Sequence, residues 1–281
     1  MKIAIASGKG GTGKTFFAVN LFYSLMVSGK NGVLLDCDAE EPNAALFFKG
    51  RREASDEVCI SIPIIDQKAC TYCGKCNEYC NYNAIFLIPP ARIIRVLEEL
   101  CHGCGVCTYV CNKGAVSEKE VVQGSLERFS LEGGCSLIEC RMDIGVYSPV
   151  KIIRAGIKST ADAGLVIMDS PPGTSCPFIH TVAGADYVVL LTEPTPFALS
   201  DLRQSISILR QMLKPFGVVI NKAGIGDSGV YNFIRSENIP LLMEIPFDRR
   251  LAESCARGDI PSSYDTDLRG KLLAVYDKIV L

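Results

Sequence analysis

The fold of this chain is decided by the stretch Ser7-Gly8-Lys9-Gly10-Gly11-Thr12-Gly13-Lys14-Thr15. It follows a short apolar run at residues 3–5 and precedes an apolar segment at residues 16–25. From its first glycine onward it fits the pattern G-x-x-x-x-G-K-[ST], which binds phosphate when it lies between a buried strand and a helix. The sequence therefore predicts a phosphate-binding loop directly after the first strand.

The residue types of this loop suit a nucleotide. Its glycines let the backbone wrap around an anion with N–H groups pointing inward, and the N-terminus of the following helix adds to the attraction. Lys14 can reach the β and γ phosphates, and the Thr15 hydroxyl can bind Mg²⁺. A glycine-rich turn without a ligand is the alternative, but it would need no Lys-Thr pair. We expect nucleotide contacts from Gly8, Lys9, Gly10, Gly11, Thr12, Gly13, Lys14 and Thr15.

One further lysine makes the loop more specific. Lys9 follows the first glycine and gives K-G-G-T-G-K-T, which resembles the deviant Walker A motif of the MinD/ParA/Mrp class of P-loop ATPases, shared by the nitrogenase iron protein. In that class the extra lysine contacts the nucleotide of the other subunit. The resemblance implies ATP hydrolysis, with Lys9 and Lys14 as catalytic residues. It also implies an ATP-dependent homodimer or a heterodimer with a related ATPase.

Carboxylates end two further apolar runs. Asp36 and Asp38 end residues 33–38, and Asp169 ends residues 164–169. Ligands of open α/β sheets collect at the carboxyl ends of the strands, so these side chains can face the phosphates. The alternative is that they only cap the next helix.

The resemblance gives roles to these positions. Through the family's switch I, Asp38 would orient or activate the attacking water, while Asp36 would support the metal shell. Asp169 matches a Walker B aspartate and would hold Mg²⁺. Gly173, in switch II, would bring its N–H to the γ-phosphate, and Asn221 would contact adenine, with a turn asparagine as the alternative.

Eight cysteines fall into two matching runs with spacings of 2, 2 and 3 residues. Bacterial two-cluster ferredoxins share this spacing, and there the fourth cysteine of each run ligates the other [4Fe–4S] cluster. Structural zinc is the alternative, although its sites favour two separated Cys-x2-Cys pairs. The usual proline after the fourth cysteine is replaced by Asn81 and Asn112. The expected ligands are Cys70, Cys73, Cys76 and Cys111 for cluster one and Cys101, Cys104, Cys107 and Cys80 for cluster two.

Three more cysteines are open to two interpretations. Cys135 and Cys140 lie in a polar segment, and Cys176 lies shortly after the Walker B aspartate. Buried or free thiols are the simpler interpretation. A further cluster that bridges two subunits is the other one, because the nitrogenase iron protein has a cysteine at a similar distance from its equivalent aspartate.

Length and composition bound the class of protein. The 281 residues, 48% of them hydrophobic, suffice for a sizeable core. The 29 basic and 31 acidic residues nearly cancel, so no whole-chain field favours nucleic acid. Met1 and Lys2 run directly into the first strand, and no apolar segment approaches the roughly 20 residues that span a bilayer. We expect a cytoplasmic protein without nucleic-acid partners or a membrane span, whose 14 cysteines serve metal rather than disulfides.

The pattern predicts an α/β fold. A mostly parallel P-loop sheet with helices on both faces would comprise residues 1–60 and 119–281, and a small ferredoxin-like α+β domain would be inserted at residues 61–118. Residues 118–146 favour an antiparallel hairpin where the insert rejoins the sheet. The C-terminal residues 267–281 form an amphipathic helix that either closes the fold or, as in MinD, anchors to a membrane.

These features resemble MinD-superfamily ATPases that contain an inserted ferredoxin domain. Three functions follow from the resemblance. The first is ATP-gated electron transfer from two [4Fe–4S] clusters to an unknown partner protein. The second is an iron–sulfur cluster carrier like Mrp, although the Mrp-type C-x-x-C is missing. The third is a positioning ATPase like MinD or ParA with structural clusters.

Overall fold

The architecture comes from a computed structural model that describes residues 1–280. Its strands are β1 (Lys2–Ala6), β2 (Val33–Asp36), β3 (Arg51–Ile65), β4 (Ile85–Ile88), β5 (Ile93–Val96), β6 (Val116–Ser130), β7 (Ser136–Met142), β8 (Val166–Asp169), β9 (Tyr187–Thr192), β10 (Phe216–Ala223) and β11 (Leu241–Pro246). Its α-helices are α1 (Lys14–Val27), α2 (Lys75–Glu78), α3 (Val106–Val110), α4 (Val150–Ser159), α5 (Cys176–Ala183), α6 (Pro196–Gln211), α7 (Gly229–Ser236), α8 (Arg249–Ala256) and α9 (Thr266–Val280).

A nine-stranded sheet forms the body of the molecule. Its strand order is β11-β10-β9-β1-β8-β2-β7-β6-β3. The seven strands from β11 to β7 run parallel, whereas β6 and β3 are antiparallel to their neighbours. The predicted mostly parallel sheet is thus confirmed, with an antiparallel pair added at one edge.

The central strands separate two hydrophobic cores. Ile3 and Ile5 of β1 belong to one core, whereas Ala4 and Ala6 belong to the other. This alternation follows from the strand period of two residues. Because helices cover both faces, the same strand is apolar on both sides and appears in the sequence as a continuous apolar run.

Different helices cover the two faces. Helices α1 and α9 pack on the face of Ile3, where Leu268, Leu272 and Val275 of α9 are buried. Helices α4 to α7 pack on the opposite face. The apolar stripe of α9 therefore serves the core, which favours the prediction that this helix closes the fold. Leu281, the last residue of the predicted helix, lies outside the described residues.

A long two-stranded ribbon carries the cysteine-rich segment. Strands β3 and β6 pair antiparallel from Arg51 opposite Ser130 to Ile65 opposite Val116. The backbone N–H of Asp66 donates to the carbonyl of Ala115 at 2.8 Å and closes the ribbon. Strand β3 was not predicted. The expected hairpin at residues 118–146 is present as β6 and β7.

Beyond the ribbon, residues 66–115 form a small α+β unit. Strands β4 and β5 pair antiparallel, from Ile85 opposite Val96 to Ile88 opposite Ile93. Ile85, Ile94, Cys107 and Val116 form a separate small core. The predicted domain limits at residues 60/61 and 118/119 fall inside β3 and β6, which are continuous there.

Membrane insertion was not expected from the sequence. Within residues 1–280, no helix has both the length and the apolar composition needed to cross a bilayer.

We predict opposite effects for two glycine substitutions in helices. A Cβ at Gly156 in α4 would lie 2.6 Å from Cys140 Sγ and 3.1 Å from Leu35 Cδ1, so Gly156→Ala must push the helix off the sheet. It should lower the free energy of unfolding by about 1–3 kcal/mol. Gly270 in α9 has nothing within 4 Å of its Cβ position, so Gly270→Ala should raise that free energy by roughly 0.5–1 kcal/mol.

Urea unfolding, monitored by circular dichroism, measures the free energy of unfolding of both glycine variants and of the parent protein. Equal changes in the midpoint would contradict the close packing of α4 on the sheet.

Candidate functional site

The phosphate-binding loop connects β1 to α1 at the centre of the sheet. Gly13 has φ 93°, and a Cβ there would clash with Asn221 Nδ2. The Asn221 amide donates to the carbonyl of Thr12 at 2.8 Å. Only glycine fits at this position, and the end of β10 holds the loop in shape.

Lys14 lies among carboxylates at the carboxyl edge of the sheet. Its side chain is buried, and burial lowers its pKa, while Asp169 and Asp38 oppose that shift. Burial also raises the pKa of Asp38 to about 6, against the attraction of Lys14. The structure thus brings together three residues that the sequence placed at the nucleotide.

Asp169 has the features of a metal ligand. Asp169 is 1% exposed, and neither oxygen of its carboxylate accepts a hydrogen bond from the described residues. Burial raises its pKa to about 7, although the Thr15 hydroxyl and Lys14 nearby favour the charged form. An unpartnered buried carboxylate next to a hydroxyl fits a Mg²⁺ ion, which prefers oxygen ligands.

Asp36 contacts the backbone of the loop that follows it. One of its oxygens accepts from the N–H of Asp38, and the other accepts from Asn43 and Ala44, each at 3.0 Å. Burial and the neighbouring Asp169 carboxylate raise its pKa nevertheless. Asp36 therefore shapes the predicted switch I segment, and its contribution to the metal shell stays a prediction.

Lys9, the extra lysine of the phosphate-binding loop, forms an ion pair within its own chain. Lys9 Nζ lies 3.1 Å from Glu193 Oε2, and Lys222 Nζ contacts the other oxygen of Glu193. Lys222 also donates to the carbonyl of Gly11 at 3.3 Å. Although burial opposes them, the two lysines hold the pKa of Glu193 below its usual value. The sequence analysis missed Glu193 and Lys222, whose only signal was their position at the ends of β9 and β10.

A cavity of about 170 Å³ adjoins the phosphate-binding loop. Gly11, Gly13 and Asn221 line one side, and Phe16 and Phe247 supply aromatic surface. Aromatic rings and an amide suit a flat base. The position of Asn221 is compatible with the predicted adenine contact, which stays a prediction.

The predicted switch II glycine has its amide occupied. Gly173 has φ 90°, and its N–H donates to the carbonyl of Ser7 at 3.2 Å. This bond ties switch II to the start of the phosphate-binding loop. A contact between Gly173 and the γ-phosphate requires this bond to open.

The eight cysteines of the two runs line two separate cavities in the insert. Each cavity receives three cysteines from one run and the fourth cysteine of the other run, as expected for crossed ligation. The first cavity is lined by Cys70, Cys73, Cys76 and Cys111, and the second by Cys101, Cys104, Cys107 and Cys80.

The cysteine cavities fit iron–sulfur clusters by the chemistry of their donors. Backbone N–H groups of Tyr72, Ala84 and Gly103 donate to cysteine sulfurs at 3.3–3.5 Å, as is usual for sulfurs that ligate iron–sulfur clusters. Among residues 1–280, no three His, Cys, Asp or Glu side chains lie close enough together to bind a single metal ion. The ligand assignment therefore stays a prediction that the grouping of the thiols supports.

The remaining three candidate cysteines lie in the body formed by the nine-stranded sheet and its helices. Cys135 and Cys140 are buried, and their thiols lie 3.7 and 3.8 Å from the carbonyls of Lys30 and Ile152. Cys176 is exposed at the start of α5. The two buried thiols behave as core residues, and only Cys176 is accessible to a second subunit.

The fold and the loop geometry define a P-loop nucleotide-binding protein. Residues 3–261 match the CobQ/CobB/MinD/ParA nucleotide-binding domain, and the chain belongs to this family. An uncharacterized protein of Methanocaldococcus jannaschii is 30% identical over 100% of this chain and 98% of its own length. The iron–sulfur cluster carrier protein of Pyrococcus horikoshii is 24% identical over 99% of this chain and 85% of its own.

Solved structures share the fold. The cell-division ATPase MinD of Pyrococcus furiosus has a TM-score of 0.59 and 20% identity, with 99% of this chain and 98% of that chain covered. MinD of Pyrococcus horikoshii complexed with Mg-ADP has a TM-score of 0.60 and 17% identity, with 99% and 95% covered. Family and structural neighbours agree with the prediction of an ATPase.

We predict that Asp169→Asn changes how stability depends on pH. Burial raises the pKa of Asp169 from 3.8 to about 7, so between these values the folded chain holds a proton that the unfolded chain has released. The nucleotide-free protein should therefore lose stability as pH rises from about 4 to about 7. The variant, which cannot titrate, should show a shallower loss and little stabilisation by Mg-ADP.

Thermal melting of both proteins across this pH range measures the difference, in chelator for the nucleotide-free protein and in chelator-free buffer with Mg-ADP. If the melting temperatures of both proteins changed equally with pH, the pKa of Asp169 would not be raised in the folded protein.

Proposed function

We propose that this protein is an ATP-hydrolysing iron–sulfur protein in which nucleotide-dependent dimerisation gates electron transfer to a partner protein. The observation that carries the proposal is the grouping of eight cysteines into two cavities in a unit joined to a P-loop sheet. The [4Fe–4S] clusters would supply one-electron transfer when bound. The ATPase body would comprise residues 1–60 and 119–281, with the cluster unit at 61–118.

Hydrolysis would use the residues at the carboxyl edge of the sheet. Lys14 would bind the phosphates, and Thr15 and Asp169 would hold Mg²⁺, which is present with ADP in the structure of MinD of Pyrococcus horikoshii. Asp38, with its raised pKa of about 6, is still a carboxylate at neutral pH and orients the attacking water. The positive charge of Mg²⁺ would offset the free-energy cost of burying the charged Asp169 carboxylate.

Dimerisation would move Lys9. In this single chain Lys9 pairs with Glu193, so a contact with the partner's nucleotide requires that ion pair to open. Lys222 also contacts Glu193 and stays bound to it when Lys9 leaves. The buried carboxylate is therefore not left without a counter-charge.

The structure offers a path from the nucleotide to the insert. Asp36 holds the segment that follows β2, and the carbonyl of Ala39 in that segment accepts from the N–H of Met142 at 2.8 Å. Met142 ends β7, which pairs with β6, and β6 continues into the insert. A movement of switch I on hydrolysis can therefore shift β6, the strand that follows directly after the cysteine-rich segment.

A cluster carrier is the second candidate function. The similarity to the Pyrococcus horikoshii iron–sulfur cluster carrier protein and the exposed position of Cys176 favour it. A positioning ATPase is the third, since the fold resembles MinD. We rank it last because the cysteine groups would then have only a structural or sensory role.

We predict that substituting the two lysines of the phosphate-binding loop causes two different defects. Lys14→Ala should lower ATP turnover by at least about a hundredfold, because the phosphates lose their buried counter-charge. Lys9→Ala should still bind nucleotide but should not dimerise. Turnover assays and sedimentation with a non-hydrolysable ATP analogue measure both, with the exposed Lys271→Ala as control. A Lys9→Ala protein that dimerises normally would refute the contact across subunits.

We predict about eight iron atoms in each anaerobically purified chain, from two four-iron clusters. The reduced protein should show spin-coupled [4Fe–4S]⁺ signals in electron paramagnetic resonance, and Mg-ATP should shift them. Cys111→Ser and Cys80→Ser should each lower the iron content, whereas Cys59→Ser on β3, outside both cavities, should not. Bound zinc without a paramagnetic signal would refute the redox function, and signals indifferent to Mg-ATP would refute the gating.

A further inference from the structure

A cleft of about 750 Å³ separates the cysteine insert from α4 and α5 of the ATPase body. Its volume lies within the range of small-molecule sites. It has no lining residue in common with the cavity beside the phosphate-binding loop. The cleft is therefore distinct from the nucleotide site.

The body wall of the cleft carries positive charge. Lys151 and Arg154 are three residues apart on α4, so they lie on the same face of the helix. Among residues 1–280, neither side chain forms an ion pair. His180 of α5 adjoins them, and burial together with Arg154 lowers its pKa. Two cations without partners and a neutral imidazole suit a phosphate group.

The insert wall of the cleft presents a flat aromatic surface. The rings of Tyr82 and His102 stack with their centroids 3.9 Å apart and an interplanar angle of 15°. Tyr147, 76% exposed, adds a further ring from the loop between β7 and α4, on the body side of the cleft. Stacked rings of this kind bind a further flat ring.

The remaining polar groups of the cleft are carboxylates. Glu98 is paired with Lys119 at 2.7 Å, and Glu99 and Asp143 complete the lining. These carboxylates can accept hydrogen bonds from the N–H groups of a heterocycle. The cleft therefore offers cations for an anion on α4, an aromatic surface on the insert, and acceptors on both walls, since Asp143 lies in the loop before α4.

We propose that this cleft binds a phosphate-bearing heteroaromatic molecule of mononucleotide size. Its phosphate contacts Lys151 and Arg154, and its ring packs against Tyr82. Cys101 and Cys104 line the same cleft, so the ring lies beside the proposed second cluster. That proximity rests on the proposed function, whereas the binding itself does not.

Calorimetric titration of the anaerobically purified full chain, with Mg-ADP at one equivalent per chain to fill the phosphate-binding loop, tests the site. Flavin mononucleotide is the probe, riboflavin lacks its phosphate, inorganic phosphate lacks its ring, and AMP replaces the flavin with a purine. We expect one saturable site per chain for flavin mononucleotide or AMP. Riboflavin and inorganic phosphate should each bind at least roughly tenfold more weakly, because each lacks one set of contacts.

Two matched variants on α4 sharpen the titration. Lys151→Gln should weaken binding of flavin mononucleotide or AMP by about tenfold and leave riboflavin unchanged. Lys158→Gln, an exposed lysine on the same helix outside the cleft, should change neither.

Three results would overturn the site. They are the absence of saturable binding by both phosphorylated probes, equal binding of flavin mononucleotide and riboflavin, or equal effects of the two lysine variants. Iron content and paramagnetic signals are measured on the same samples. A protein without clusters that binds the probe would refute the proposed function and keep the site.

Discussion

The nucleotide edge of this protein depends on the burial of charge. Asp36, Asp169 and Lys14 are 0%, 1% and 7% exposed and lie at or beside the ends of three adjacent central strands. A buried charge costs several kcal/mol unless it is compensated. Asp36 is compensated by three backbone N–H groups, whereas Asp169 has no hydrogen-bond partner among the described residues. A phosphate and a metal ion bound at this edge would supply the compensation that Lys14 and Asp169 lack within the described residues.

Much of the body could be predicted because its strands are buried on both faces. Residues 3–5, 33–36 and 166–169 are apolar without interruption and end in loop or carboxylate positions, which is the signature of parallel strands under helices. Strand β3 lacks this signature, since residues 51–57 are mostly charged and exposed. Its pairing partner lies on the far side of the insert, and no local pattern reveals such a pairing.

The site shows the same division between local and distant information. The phosphate-binding loop and the cysteine runs are local motifs, and their spacing predicted which thiols share a cavity. The ion pairs of Glu193 with Lys9 and Lys222 join the ends of three strands that lie far apart in sequence. Only the order of strands in the sheet brings these residues together, and that order cannot be predicted from any single segment of the sequence.

The ribbon of β3 and β6 determines how the cysteine-rich segment is attached to the sheet. Ile65 and Val116 are direct partners across the ribbon, so the chain leaves the sheet and returns to it at one point. A short turn joining these two residues would close the ribbon as an ordinary hairpin without moving any strand of the body. The register of the nine-stranded sheet is therefore independent of how many residues connect these two partners, and residues 66–115 are tethered to the sheet at this single point.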